Sequence, residues 1–244
     1  MTGAVAAAPT RARAFDADRI ALWGIGAAVV AGLVVFVAVP LVAILRLSFV
    51  TPDGVGLANY AREFANPKFP RIVANSFSVA ITTTVITVAL AYAFAWALRR
   101  TAMPLKRTCG AIALLPLYAP SLVQALGILF LFGRNGIVNR TFDLRIDIYG
   151  FWGIVVSDLF YSFPHAFLIL SAALAVGDAR LYESARMLGA GPARLFRTIT
   201  LPSTRYGIIS AIFVVFTIVI TDFGNPMVIG GDFGVLATEI YNQV

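Results

Sequence analysis

Asp158, Tyr161, Ser162 and His165 occupy the i, i+3, i+4 and i+7 positions of one helical stripe inside an otherwise apolar run. Such groups can carry protons or solvate a polar solute, and an ionisable side chain in lipid costs at least about 2.5–3.5 kcal/mol, which marks it as functional. Pro164, within the stripe, frees a backbone carbonyl. Two readings stand. Either the stripe lines a transport path, or it hydrogen-bonds to Thr82, Thr83, Thr84, Ser121 or Gln124 of neighbouring helices and holds a bundle together. Asp222 directly precedes Phe223-Gly224-Asn225-Pro226, so a carboxylate meets a helix break. Breaks of this kind are tolerated where they line water or a cavity, which makes Asp222 and Asn225 path candidates beside the alternative of a structural turn. His165 is the one histidine and Cys109 the one cysteine. No metal site or resident cofactor is expected from them, and Cys109 reads as packing. The chain has no G-x-x-x-x-G-K-[ST] loop to cradle a nucleotide. It is not expected to be an enzyme.

The elements that must position these groups are membrane spans. Of 244 residues, 59% are hydrophobic and only 13% charged, against about a quarter charged in a soluble domain. A crossing helix needs about 20 mostly apolar residues. Five segments qualify: 21–45, 73–98, 109–133, 149–176 and 206–229. The first is too long for a signal h-region and continues into Pro40 and Arg46 instead of a cleavage site, so it reads as a retained anchor. The Ala-rich stretch 1–20 before it reads as a disordered cytoplasmic N-terminus. The expected fold class is all-α, a polytopic transmembrane helical bundle. The closing "LATEIYNQV" has no charged tail and reads as the edge of a fragment, or of one half of a longer membrane protein.

Charge sets the orientation. Arg11, Arg13, Arg19, Arg99, Arg100, Lys106, Arg107, Arg180, Arg186, Arg194, Arg197 and Arg205, 12 of the 19 basic residues, fall on one side together with the N-terminus. The excess of lysine and arginine places that side in the cytoplasm. The net charge of +7 is thereby topological, and nucleic acid is not an expected partner.

On that side, residues 177–205 interrupt two apolar spans. Asp178 is placed to cap a short amphipathic helix carrying Leu181, Ala185 and Leu188; Gly189 and Gly191 let the chain leave it, and Pro192 suits the first turn of a second helix. Leu201-Pro202 is expected to end that helix. By physics alone the insert is either an interfacial loop whose arginines meet lipid headgroups or a docking surface for a cytoplasmic partner.

Glu183, Ala185, Gly189, Ile199, Leu201 and Pro202 stand at the offsets of the E-A-A, three residues, G, nine residues, I-x-L-P signature. Ser184 replaces the second-position alanine. The stretch resembles the coupling loop of type I ABC-transporter permeases, and the closing "TDFGNPMVIGGDFGVLATEIYNQV" resembles permeases of iron(III) and 2-aminoethylphosphonate importers. The resemblance covers residues 70–244. It implies a MetI-like permease fold in a bacterial plasma membrane and a path for a small solute. It also implies three kinds of partner: a cytoplasmic ABC ATPase dimer, an extracytoplasmic substrate-binding protein and a second permease half or subunit. Glu183, Ala185 and Gly189 would then belong to the docking element, with Arg186, Arg194 and Arg197 at its rim. Gly230-Gly231-Asp232 and residues 47–72 would face the binding protein. A competing view pairs Glu183 with Arg186 at i+3. Two other functions remain in play: a proton-coupled transporter using Asp158, His165 and Asp222, and a membrane enzyme using Asp158 and His165.

Overall fold

Prolines decide where the helices of this chain change pitch. A computed structural model describes residues 11–51, 54–144, 146–177 and 179–242. The chain divides into two compact units, Met1–Phe69 and Pro70–Val244. In the first, α1 (Arg11–Leu33) passes through a π turn at Val34–Ala38 into α2 (Val39–Phe49). The Val39 amide bonds back to the Val34 carbonyl, one residue further than in an α-helix. That extra residue absorbs the steric conflict and lost donor that Pro40 brings. The helix already begins at Arg11, so residues 11–20 are helical where disorder was expected; residues 1–10 lie outside the described residues, as does the proposed cap Asp178. Arg19–Phe49 is long and apolar enough to cross a membrane, and none of its most apolar window is buried within the protein. Beyond it, β1 (Val50–Thr51) pairs antiparallel with β2 (Gly54–Val55) in the register Val50 to Val55. Asn59 on α3 (Ala58–Ala65) ties this corner down by donating to the carbonyls of Ser48 and Val50.

The second unit is built on α4 (Phe69–Arg100) and the elements that follow it. Next come α5 (Lys106–Leu114), a 3-10 turn at Leu115–Tyr118, α6 (Ser121–Phe132) and α7 (Ile137–Phe142). The expected span 109–133 is therefore two helices, separated because Pro116 and Pro120 cannot donate to a continuous ladder. Gln124 Nε2 restores the balance by donating to the Pro116 and Ala119 carbonyls at 2.7 and 2.9 Å. The central helix α8 (Phe151–Ala175) runs unbroken through Pro164. After it come α9 (Ala179–Met187), α10 (Pro192–Leu195), a second π turn at Phe196–Thr200 and α11 (Leu201–Ser203), then α12 (Arg205–Ile220), α13 (Gly224–Ile229) and α14 (Leu236–Asn242).

Two expectations change here. Pro202 does not end its helix, because the π turn before it makes the same accommodation seen at Pro40, with the Leu201 amide reaching the Phe196 carbonyl. The chain turns instead at Thr204, where the segment Pro192–Ser203 and α12 meet at 63°. The last span is also shorter than 206–229: α12 stops at Ile220, and α13 restarts at Gly224 after an off-helix step. Among the described residues, four helical stretches qualify as crossings, and a fifth if the bent pair counts as one.

Small residues set the helix spacing. Ala80, Ala91 and Ala95 of α4, Ala166 of α8 and Ala211 of α12 are all wholly buried in one apolar cluster with Leu170, Leu174 and Val215. In lipid, where no hydrophobic effect drives helices together, such close approach supplies the packing energy. At Gly153 on α8 a side chain would strike the Ile148 carbonyl and Ile229, whereas Gly127 on α6 faces open space. Gly153→Val is accordingly expected to cost about 1–3 kcal/mol by overpacking and Gly127→Ala close to nothing, which thermal unfolding of the two purified variants in detergent would read.

Candidate functional site

The α8 stripe divides into two kinds of residue. Asp158 and Ser162 are wholly buried within the protein, whereas Tyr161 and His165 are half-buried, their rings 6.0 Å apart edge to face. Asp158 Oδ1 accepts from Asn225 Nδ2 at 2.6 Å, and Asn225 Oδ1 accepts from Ser157 Oγ at 2.6 Å. The Asn225 backbone amide donates to Asp222 Oδ2 at 2.9 Å, which starts α13. One asparagine thus offers N–H groups to two carboxylates and fastens the broken last span to α8. Ser162 Oγ donates to the Asp158 carbonyl and lies 3.3 Å from Thr87 Oγ1 of α4. Of the neighbouring-helix partners named from the sequence, Gln124 serves its own helix break, and Thr87 stands where Thr82, Thr83 or Thr84 was expected. Close packing seals the break: a side chain at Gly224 would strike Ser121 Oγ on α6.

Ser157 and Thr87 were missed from sequence. Ser157 sits beside Asp158 in an apolar run, and only the approach of α13 reveals its partner. Thr87 belongs to a threonine-rich run in which nothing but the register against α8 singles out one hydroxyl.

The second candidate element projects from the bundle. Gly189 has φ +78°, and it closes α9 with the paired bonds Ala190 to Ala185 and Gly189 to Arg186, both 2.9 Å. This is the Schellman arrangement, in which a residue without Cβ avoids the left-handed penalty. Glu183, Arg186, Arg194, Leu201 and Pro202 are exposed, Ala185 and Ile199 half-buried. Glu183 makes no ion pair with Arg186 among the described residues, so the competing view of an i+3 pairing is not seen there. Met187 and Leu188 at the tip are 89% and 86% exposed.

The base of this loop is held firmly. Tyr182 donates or accepts at Thr200 Oγ1, 3.0 Å away, and the Arg100 guanidinium lies 4.2 Å over the Tyr182 ring. Arg100 Nη2 also donates to the Leu174 carbonyl, Arg99 Nε to Ser171 Oγ, and Tyr92 OH pairs with Thr204 Oγ1 at 2.9 Å. Phe196 meets the edges of both Tyr92 and Trp96. Sequence reading assigned Arg99 and Arg100 to topology alone; the contact with Tyr182 and Leu174 is decided by tertiary structure.

An all-helical membrane bundle with a broken last span and an exposed helix–glycine–helix loop before it has the architecture of a transport permease. The family described as binding-protein-dependent transport system inner membrane component matches residues 103–244, and the chain belongs to that family, with its MetI-like fold. The ferric transport system permease protein FbpB of Actinobacillus pleuropneumoniae is 28% identical over 212 residues, covering 84% of this chain and 31% of that protein. The putative ferric transport system permease protein FbpB 1 of Haemophilus influenzae is 31% identical over 216 residues, covering 84% and 34%. The chain spans about a third of the length of these relatives. A chain in the crystal structure of a bacterial alginate ABC transporter, in complex with an alginate pentasaccharide-bound periplasmic protein, superposes with a TM-score of 0.75. It is 17% identical, over 93% of this chain and 84% of that one, a likeness of fold.

The Asn225 bridge predicts a measurable stability term. Asn225→Leu leaves a buried carboxylate oxygen without its donor and is expected to cost about 1–3 kcal/mol or more. Asp158→Asn in the same background should recover part of the loss, because a neutral amide is cheaper to leave unpaired. Tryptophan-monitored thermal unfolding in detergent compares the three proteins.

Proposed function

We propose that this chain is the permease component of an ATP-binding-cassette importer in a bacterial plasma membrane, with its N-terminus and the 177–205 loop in the cytoplasm. Substrate reaches it from an extracytoplasmic binding protein, and a separate ATPase dimer supplies the energy. A second permease half or subunit completes the path. The observation that carries this reading is the loop at 182–202. It keeps the E-x-A-x-x-x-G and I-x-L-P offsets, presents exposed Glu183, Met187 and Leu188, and is anchored at its base on α4 through Tyr182 and Phe196. A protruding surface on a stiff base is what a coupling element needs. Motion of a docked ATPase would pass into α4 and α12 as a rigid-body displacement and alternate the access of the path.

The ferric relatives favour iron(III) as cargo over a 2-aminoethylphosphonate-like solute. Tyr161 and His165, half-buried on α8, are the stripe residues open to a path, while Asp158, Ser162, Asp222 and Asn225 shape it from behind. Proton coupling would require Asp158 to reach water, and its side chain is wholly buried. On the outer side, Gly230, Gly231 and Asp232 line a polar depression of about 700 Å³ with Arg71, Arg134 and Tyr149, a surface suited to the binding protein.

Glu183→Arg or Gly189→Asp is expected to abolish uptake of radiolabelled iron(III) and co-purification with the ATPase, while membrane insertion is unchanged. The glycine variant acts through backbone strain at positive φ, the glutamate variant through charge reversal. Wild-type uptake together with normal ATPase association in either variant would overturn the coupling assignment.

A further inference from the structure

We propose that the Arg100 end of α4 and the base of the 182–202 loop form a binding site for one anionic phospholipid. Two grooves meet there. The first, of about 420 Å³, is lined by Arg99, Arg100, Arg186, Glu183 and Tyr182. The second, of about 550 Å³, is lined by Ala89, Tyr92, Ala93 and Ala193 with Arg197 at its edge. Trp96, Pro192 and Phe196 line both. A basic groove that continues into an apolar one has the polarity of a phospholipid, with the phosphate among the arginines and an acyl chain along α4.

The basic groove is preorganised for an anion. Arg99 is pinned through Nε to Ser171 Oγ, and Arg100 through Nη2 to the Leu174 carbonyl and by the Tyr182 ring. Neither guanidinium forms an ion pair among the described residues, and Arg100 Nε is buried with no hydrogen-bond partner among them. Three arginines face one glutamate. Fixed guanidinium forks of this kind match phosphate oxygens without a further ordering cost.

The apolar groove decides between a phospholipid and either free phosphate or a segment of a soluble partner. Ala89, Tyr92, Ala93 and Trp96 follow one another at i, i+3, i+4 and i+7 along one face of α4. Ala89 is eleven residues before Arg100, about 16 Å along the helix axis, inside the stretch Phe69–Arg100 that is apolar enough to span a membrane. That depth belongs to an acyl chain, whereas a soluble protein stops at the headgroups. The alanines leave the room, and Trp96 sits at the junction of head and tail, the level at which membrane tryptophans concentrate. Basic pockets between helices at a membrane surface bind anionic headgroups through the same chemistry.

The site goes beyond the transport reading and does not depend on it, so its test uses binding alone. The full chain, purified in a neutral detergent and stripped of lipid, is titrated with dioleoylphosphatidylglycerol, dioleoylphosphatidylcholine or inorganic phosphate, and bound lipid is counted by native mass spectrometry. One phosphatidylglycerol is expected to bind at least about tenfold more tightly than phosphatidylcholine, since each basic residue near the headgroup contributes at about the 1 kcal/mol level. Arg99→Gln with Arg100→Gln should remove that preference. Ala93→Trp, which fills the apolar groove and keeps every arginine, should weaken phosphatidylglycerol at least about tenfold, and Ala89→Phe should do the same where the first variant unfolds. Equal binding of the two lipids would overturn the proposal, as would unchanged binding in either the arginine or the groove-filling variants. Displacement by millimolar phosphate would mean a phosphate site only, and displacement by the purified ATPase subunit would mean that a protein covers the groove; either result also overturns it.

Discussion

Every break in a membrane helix exposes backbone groups that lipid cannot satisfy, and the rest of this structure depends on how those groups are supplied with partners. At the Pro116–Pro120 break the partner is Gln124, which serves two carbonyls at once. At the end of α12 it is Asp222, whose carboxylate accepts from the Asn225 amide and starts α13. Beyond α6, Asn139 is buried and donates to the carbonyls of Gly133 and Ile146. At the 63° bend before α12, Thr204 Oγ1 donates to the Thr200 carbonyl. In each case a polar side chain within a few residues of the break returns to it. Lines of apolar sequence are thereby interrupted while the backbone groups at these breaks keep partners.

The same accounting gives the buried polar groups a double duty. Asn225 completes its own helix break and, through its carboxamide, joins Asp158 and Ser157 of α8. The broken segment is thus fixed to the most deeply buried helix by hydrogen bonds that water does not contest. Half-buried Tyr161 and His165 lie on the flank of this clasp. A path built beside it would have one rigid wall and a pair of polar rings at its surface.

At the other end of α4, aromatic contacts and cations take over from buried hydrogen bonds. Phe196 sits in the π turn before Pro202 and meets Tyr92 and Trp96. Arg100 covers Tyr182. The loop, the end of α4 and the start of α12 therefore share one set of contacts. In the proposed importer this set would be the mechanical link between an ATPase and the path, and in the proposed lipid site it would also be what an anionic headgroup stiffens.

Local patterns carried much of this in the sequence. Long apolar runs determined the helical membrane class, because about 20 apolar residues have few other stable homes. The spacing from Glu183 to Pro202 determined the projecting loop, and Gly189 its left-handed turn, since both are properties of consecutive residues. Asp158 and Asp222 were recognisable because charge in an apolar run is costly wherever it packs. Their union through Asn225 was not recognisable, nor was the choice of Thr87 over its neighbours or the seating of Arg100 on Tyr182. Pro116, Pro120 and the step at 221–223 split expected spans, because a run of apolar residues records hydrophobicity and not the continuity of a hydrogen-bond ladder. Pairings across 67 or more positions of chain, such as Asn225 with Asp158, depend on how helices approach and rotate. That is set by the sum of many small-residue contacts, and only the tertiary structure decides it.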